Sequence, residues 1–168
     1  LIVRSATKVT SEIINATRNL RVIGRAGTGV DNVDLVSASE KGILVINAPG
    51  ANSISVAEHA FALMLSSARS IPQADAKMKA GVWDKKMFRG SELRGKTLGI
   101  IGLGRIGREV AQRSRAFDMN VVAHDPFVTT QGADKIGIEL IGLKGLAQRS
   151  DFISLHLPST AQTKQLID

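Results

Sequence analysis

The segment Thr97-Leu98-Gly99-Ile100-Ile101-Gly102-Leu103-Gly104-Arg105-Ile106-Gly107 constrains this chain more than any other. Thr97 to Ile101 is an apolar run of the length of one buried strand. Gly102, Gly104 and Gly107 then fall in the spacing G-x-G-x-x-G. Arg105 to Phe117 follows as a helix with Ile106, Val110, Ala111 and Phe117 on its apolar side. Strand, glycine turn and helix in this order make a phosphate cradle. Gly102 permits the tight turn, Gly104 lets an anion approach the backbone, and Gly107 lets helix and strand pack closely. The helix N-terminus offers free N–H groups and a partial positive charge to the anion.

The spacing alone is a weak signal, and its surroundings strengthen it. A second strand, Asn120 to His124, ends at Asp125, eighteen residues past Gly107. A Rossmann-type sheet places there the acid that accepts from the adenosine ribose hydroxyls. A carboxylate at that point repels a 2′-phosphate, so the reading is NAD rather than NADP. The expected class is α/β, a parallel-sheet NAD-binding domain of which the first half is present.

With 168 residues, 43% of them hydrophobic, the chain can bury a core. It has no cysteine, which excludes a disulfide framework and a cysteine metal site; no metal is expected. No apolar run has the length of a membrane span and no signal peptide is visible, so a cytoplasmic protein without a membrane partner is expected. The net charge is +7, with Lys77, Lys79, Lys85, Lys86, Arg89, Arg94 and Lys96 close together. Aromatic residues make up only 4% and tyrosine is absent, so there is no base-stacking platform. The basic stretch reads as a solvated face, and no nucleic-acid partner is expected.

Taken in order, Leu1 to Val3 reads as a buried strand. Thr10 caps a helix to about Asn19, with Val9 and Ile14 as a hydrophobic staple. Val22 to Arg25 is a strand, Asn32 caps a helix that stops at Gly42, and Ile43 to Ile46 is a third strand. This β-α-β-α-β pattern predicts a parallel sheet. Residues 47–52 break all periodicity. Ser55 and Glu58 form a capping box for a long apolar helix to about Ser70, expected to be buried on more than one side with His59 inside it. Pro72 opens a further helix that Gly81 ends. After Asp125 a loop runs to about Gly137, then a helix over Leu143 to Arg149 and a strand over Phe152 to Leu155. The second unit is thus also read as β-α-β-α-β.

Three stretches together resemble one family. Val22 to Asp34, with Arg25-Ala26-Gly27-Thr28-Gly29-Val30-Asp31-Asn32, is similar to the substrate loop of D-2-hydroxyacid dehydrogenases. Residues 47–58 resemble their interdomain crossover. Gly102 to Gly107, Asp125-Pro126 and His156-Leu157-Pro158 resemble their cofactor site. Two departures are Asp118, where the family often ends its first Rossmann helix with glycine, and Lys144-Gly145, where an acidic, helix-favouring pair is usual.

The resemblance implies a two-domain enzyme with its active site in the cleft. Residues 1–48 are then part of a flavodoxin-like substrate domain, and residues 49–168 part of the NAD-binding domain. Thr28, His156, Leu157 and Pro158 would line the cofactor, and Arg105 and Ile106 would present backbone N–H groups to its pyrophosphate. Arg4, Ser5, Arg25 and Gly27 would face an anionic, phosphorylated 2-hydroxy acid, with Asn52 near its carboxylate. A homodimer or homotetramer is implied. The chain reads as a piece of a longer one. In this family the catalytic Arg, Glu and His follow the His-x-Pro strand, so they are expected beyond Asp168, and His59, His124 and His156 are not assigned their roles. Two alternatives stay open: a glyoxylate or hydroxypyruvate reductase of the same family, and an NAD-binding corepressor of the same fold.

Overall fold

The computed structural model describes residues 1–167. The chain divides into two compact units, Leu1–Asn52 and the residues from Ser53 on. The sequence expectation put the division at 48/49. Residues 47–52 stay with the first unit because they bond back to it: Asn47 Nδ2 donates to the Thr28 carbonyl at 2.6 Å, Ala48 N–H to the Gly27 carbonyl at 3.0 Å, and Thr28 Oγ1 to Asn52 Oδ1 at 2.8 Å.

The first unit runs β1 (Ile2–Val3), α1 (Ser11–Ala16), β2 (Val22–Arg25), α2 (Leu35–Glu40), β3 (Leu44–Asn47). Its strands are parallel, in the order β1-β2-β3, with Ile23 opposite Val45 and Gly24 opposite Ile46. Side chains alternate across a sheet. Val3 and Ile23 enter a core with Val9, Ile14, Val33, Ala38 and Ile43, while Ile2, Leu44 and Ile46 stand exposed on the opposite face. Leu1–Val3 is therefore buried at Val3 alone.

Two helix ends differ from expectation. Thr10 is the N-cap of α1 but its hydroxyl makes no capping bond, while Val9 and Ile14 do share the core. The helix stops at Ala16, three residues short of Asn19, because its end is tied off twice. Thr17 turns its N–H and hydroxyl onto the Ile14 carbonyl, and Lys41 Nζ donates to the Ile14 and Asn15 carbonyls at 3.1 and 2.9 Å. The cap of α2 is Asp34, whose Oδ1 accepts from Ser37 N–H at 3.0 Å. Asn32 is not the cap; its amide is committed elsewhere.

The second unit runs α3 (Ser53–Ala68), α4 (Ile71–Lys79), β4 (Thr97–Ile101), α5 (Arg105–Ala116), β5 (Asn120–His124), α6 (Thr130–Asp134), β6 (Glu139–Leu140), α7 (Leu143–Arg149), β7 (Phe152–Leu155). Because α3 starts at Ser53, Ser55 and Glu58 both lie inside it and form no capping box. Ser53, Ala57 and Phe61, four residues apart, form its buried line, and Phe61 stacks on Phe117 with centroids 5.1 Å apart. Ile54, His59 and Leu63 are exposed, so α3 is buried on one side and His59 is not a core residue.

The sheet is parallel with the order β6-β5-β4-β7. It has four strands where the sequence suggested three. Residues 126–137 contain α6, capped by Thr129, and the two-residue β6 pairs Glu139 with Val122. A strand of that length leaves no periodic signal. Central β4 is buried on both faces: Leu98 and Ile100 lie with Leu103, Val110 and Ala111, and Ile101 lies with Val122 and Leu146. Asp118 follows α5 at φ 54°, taking the left-handed position that glycine often fills. At the edge, β7 leaves Ile153 and Leu155 exposed.

Gly99, outside the motif, is as crowded as Gly102 and Gly107 within it. A Cβ there would stand 2.6 Å from Leu146 Cδ2 and would also strike Ser150 Oγ. Gly99→Ala is expected to cost roughly 1–3 kcal/mol by forcing α7 off the sheet, read as a lower midpoint in urea denaturation. Lys41→Met is expected to cost about 1 kcal/mol through the uncapped end of α1. An unchanged midpoint would mean that water replaces these bonds without loss.

Candidate functional site

Three backbones converge where β4 ends. Gly102 adopts φ 94°, which favours glycine, and its N–H donates to the His124 carbonyl at 2.9 Å. A Cβ on Gly102 would stand 2.5 Å from the His156 carbonyl oxygen, and one on Gly107 would strike the Gly102 carbonyl oxygen. These two glycines let β4, α5 and the end of β7 touch. Gly104 differs: apart from its own chain neighbours, no atom of the described residues lies within 4 Å of where its Cβ would be. It opens onto free space at the N-cap of α5, where no side chain caps the helix. The first-turn N–H groups of Arg105 and Ile106 have no intrahelical acceptor. Leu103 is fully buried and anchors the turn, and Arg108 Nε donates to its carbonyl at 3.1 Å.

Asp125 closes the turn from the side. Its Oδ2 accepts from Leu103 N–H at 2.7 Å and its Oδ1 from Phe127 N–H at 2.9 Å. The carboxylate is thus aimed by two backbone amides. A carboxylate offers about four acceptor positions, so both oxygens retain capacity for hydroxyl donors. The sequence reading placed Asp125 near a ribose and missed its bond to the glycine turn. The signal was its position at the end of the adjacent strand, since His124 pairs with Ile101 in register.

His156 N–H donates to the Ile101 carbonyl at 2.7 Å, extending the β4–β7 ladder. Its Nε2 lies 2.8 Å from Ser154 Oγ. Burial pushes its imidazole below the ordinary histidine range, so the ring is neutral at pH 7. His124 Nδ1 lies 3.1 Å from the Ile141 carbonyl, an acceptor only, so that nitrogen carries the hydrogen. Leu157 packs toward Leu146 and Ile101, and the Pro158 carbonyl accepts from Thr163 Oγ1 at 2.6 Å. The structure thus gathers Gly102, Gly104, Arg105, Ile106, Gly107, Asp125 and His156 around one turn.

The remaining candidates lie in the first unit. Arg25 lays its guanidinium across Gly27: a Cβ there would be 2.7 Å from Arg25 Cζ. Arg25 Nε is buried and has no partner among the described residues. Thr28 and Asn52 bond to each other through their side chains. Arg4 and Ser5 stand exposed in the turn 4–7. Two residues outside the sequence candidates hold these segments: Asn47 through the Thr28 carbonyl, and Asn32 through the Arg4 and Thr7 carbonyls at 2.9 and 2.6 Å. Neither is marked by spacing, because each acts across more than fifteen residues of chain.

The site fits a dinucleotide. Open space over Gly104 and unsatisfied amides at the α5 N-terminus suit a pyrophosphate, and a fixed carboxylate at the end of β5 suits ribose hydroxyls. The order β6-β5-β4-β7 reverses its direction of winding between β4 and β7, which opens a crevice at the ends of these strands.

Comparison with known proteins agrees with this geometry. The pattern of the D-isomer specific 2-hydroxyacid dehydrogenase NAD binding domain matches residues 61–168. The chain is 56% identical over 167 residues to D-3-phosphoglycerate dehydrogenase of Archaeoglobus fulgidus, covering 99% of this chain and 32% of that protein. The TT0316 protein of Thermus thermophilus superposes with a TM-score of 0.90 at 34% identity, over 98% of this chain and 52% of that one. D-lactate dehydrogenase of Aquifex aeolicus, solved with NAD and lactic acid, gives 0.86 at 35% identity over 96% and 49%. The chain therefore spans about a third of the length of the curated relatives it matches. It carries an NAD-binding domain and belongs to the D-isomer specific 2-hydroxyacid dehydrogenases.

Proposed function

We propose that the chain is part of an NAD-dependent D-3-phosphoglycerate dehydrogenase, which oxidises 3-phosphoglycerate to 3-phosphohydroxypyruvate at the start of serine synthesis. One observation carries the reading: a glycine turn open at Gly104 and closed by Asp125, in a chain 56% identical to a D-3-phosphoglycerate dehydrogenase. The protein works as a homodimer or homotetramer in the cytoplasm, and its ligands are small molecules rather than nucleic acid.

NAD, when bound, would supply the acceptor for the hydride of the substrate C2. The chain's own residues do the rest of the work assigned here. The amides of Arg105 and Ile106 hold the pyrophosphate through the helix N-terminus. Asp125 accepts from the ribose hydroxyls, aimed by Leu103 and Phe127. His156, Leu157 and Pro158 line the cofactor. Arg25, with its Nε buried and without a partner among the described residues, meets the anionic substrate together with Arg4, Ser5 and the Gly27 loop, and Asn52 lies near the carboxylate. A guanidinium suits this task because it presents paired planar donors to a carboxylate or phosphate. The hydroxyl proton goes to a base supplied outside residues 1–168. His59 is exposed on α3, His124 is bonded to the Ile141 carbonyl, and His156 is bonded to Ser154.

In the full-length enzyme, Asp125→Asn should lower the NAD-to-NADP ratio of kcat/KM by about tenfold to a hundredfold, because the charge that repels the 2′-phosphate is lost. Asp125→Ala, which also frees the Leu103 amide, should in addition weaken ADP-ribose binding by calorimetry. An unchanged ratio in both variants would place cofactor choice elsewhere.

Arg25→Lys should raise KM for 3-phosphoglycerate about tenfold while KM for NAD stays within about twofold. Equal rises in both would mark a folding defect and remove Arg25 from the substrate site.

A further inference from the structure

We propose that Asn32 is the positioning residue of the anion-facing turn Arg4–Thr7. The inference rests on the reading above, in which Arg4 and Ser5 face the substrate. Residues 4–7 are exposed throughout, and the only bond among the described residues that closes the turn on itself runs from Thr7 N–H to the Arg4 carbonyl at 3.3 Å. So long a bond holds little by itself. The two ends of the turn are instead gripped from outside. Asn32 Nδ2 gives one hydrogen to the Arg4 carbonyl at 2.9 Å and the other to the Thr7 carbonyl at 2.6 Å. Two carbonyls can only accept, so the orientation of the amide is fixed by its partners.

The grip stands on a rigid mount. The Asn32 carbonyl accepts from Val9 N–H at 2.7 Å, Asp34 N–H donates to the Val9 carbonyl at 2.9 Å, and Val9 bridges Val33 in parallel register. Val9 and Val33 are both buried. Asn32 also ends the loop that begins at Arg25 and Gly27. It therefore ties together the two segments that carry the anion-facing residues, so that Arg4 and Arg25 are presented from one fixed frame.

The arrangement carries a cost that a purely structural residue would not need. Asn32 Oδ1 is buried and has no partner among the described residues. Leaving a buried acceptor unpaired is unfavourable, and such groups in native proteins call for a reason. The reason here is geometric. Two donors are needed at the end of a short side chain. Aspartate has no donor when ionised, serine has one, and glutamine is a methylene too long.

The test uses the full-length protein. Asn32→Asp keeps the shape and removes both donors. It should raise KM for 3-phosphoglycerate about tenfold, with kcat and KM for NAD within about twofold of the parent. In an Arg4→Gln background the same substitution should change KM for 3-phosphoglycerate by less than about twofold, because coupled residues are not additive. An unchanged KM in Asn32→Asp, equal rises for both substrates, or independent multiplication of the two substitutions would overturn the inference. If Arg4→Gln itself leaves KM unchanged, the assignment of Arg4 to the substrate falls and this inference falls with it. If Arg4→Gln raises KM and Asn32→Asp does not, only the inference falls. Should Asn32→Asp fail to fold, Asn32→Ser is measured in the same way; if neither variant gives folded protein, Asn32 is a structural residue and the proposal is wrong.

Discussion

Backbone lies against backbone at the end of β4, and the rest of the second unit is arranged so that this is possible. The Gly102 carbonyl oxygen lies where a Gly107 side chain would begin, and the His156 carbonyl oxygen lies where a Gly102 side chain would begin. Only hydrogens at these two positions let β4, α5 and β7 meet. The contact brings the α5 N-terminus to the mouth of the sheet, where its free amides become a site for an anion. Gly99, three residues earlier in β4, serves the same end, since it lets α7 settle on the strand.

Polar groups then hold the turn in the shape that packing permits. Asp125 joins the end of β5 to the Leu103 amide, and the Gly102 amide reaches the His124 carbonyl. A ligand-binding turn fixed this way loses little further freedom on binding. The Asp125 carboxylate is thus part of what shapes the glycine turn, and substitutions there act on the turn as well as on the end of β5.

The first unit uses amides and an ammonium where the second uses glycine. Lys41 ends α1, Asn47 holds the Thr28 carbonyl, and Asn32 holds the turn 4–7. Its core of seven small and branched residues lies on one face of a three-stranded sheet, which leaves Ile2, Leu44 and Ile46 exposed on the other. With so little apolar packing to set loop conformation, hydrogen bonds from side chains to distant carbonyls fix the loops that carry Arg4 and Arg25.

What the sequence by itself determined was local in kind. The spans of β2, β4, β5, α7 and β7, the strand–turn–helix order, and Asp125 at a strand end were all legible, because apolar periodicity, glycine spacing and strand register act over a few residues. Helix ends were legible only in part. Asn32 and Asp34 are equally good caps by type, and Asp34 won because Asn32 was needed at the turn 4–7. Ser55 and Glu58 had the spacing of a capping box, yet α3 starts two residues earlier. The tertiary structure alone decided which face of α3 is buried, that β6 joins the sheet, that Gly99 cannot carry a side chain, and that Arg25 folds over Gly27 with its Nε unpaired among the described residues. Each depends on atoms brought together from distant parts of the chain, and no periodicity records that.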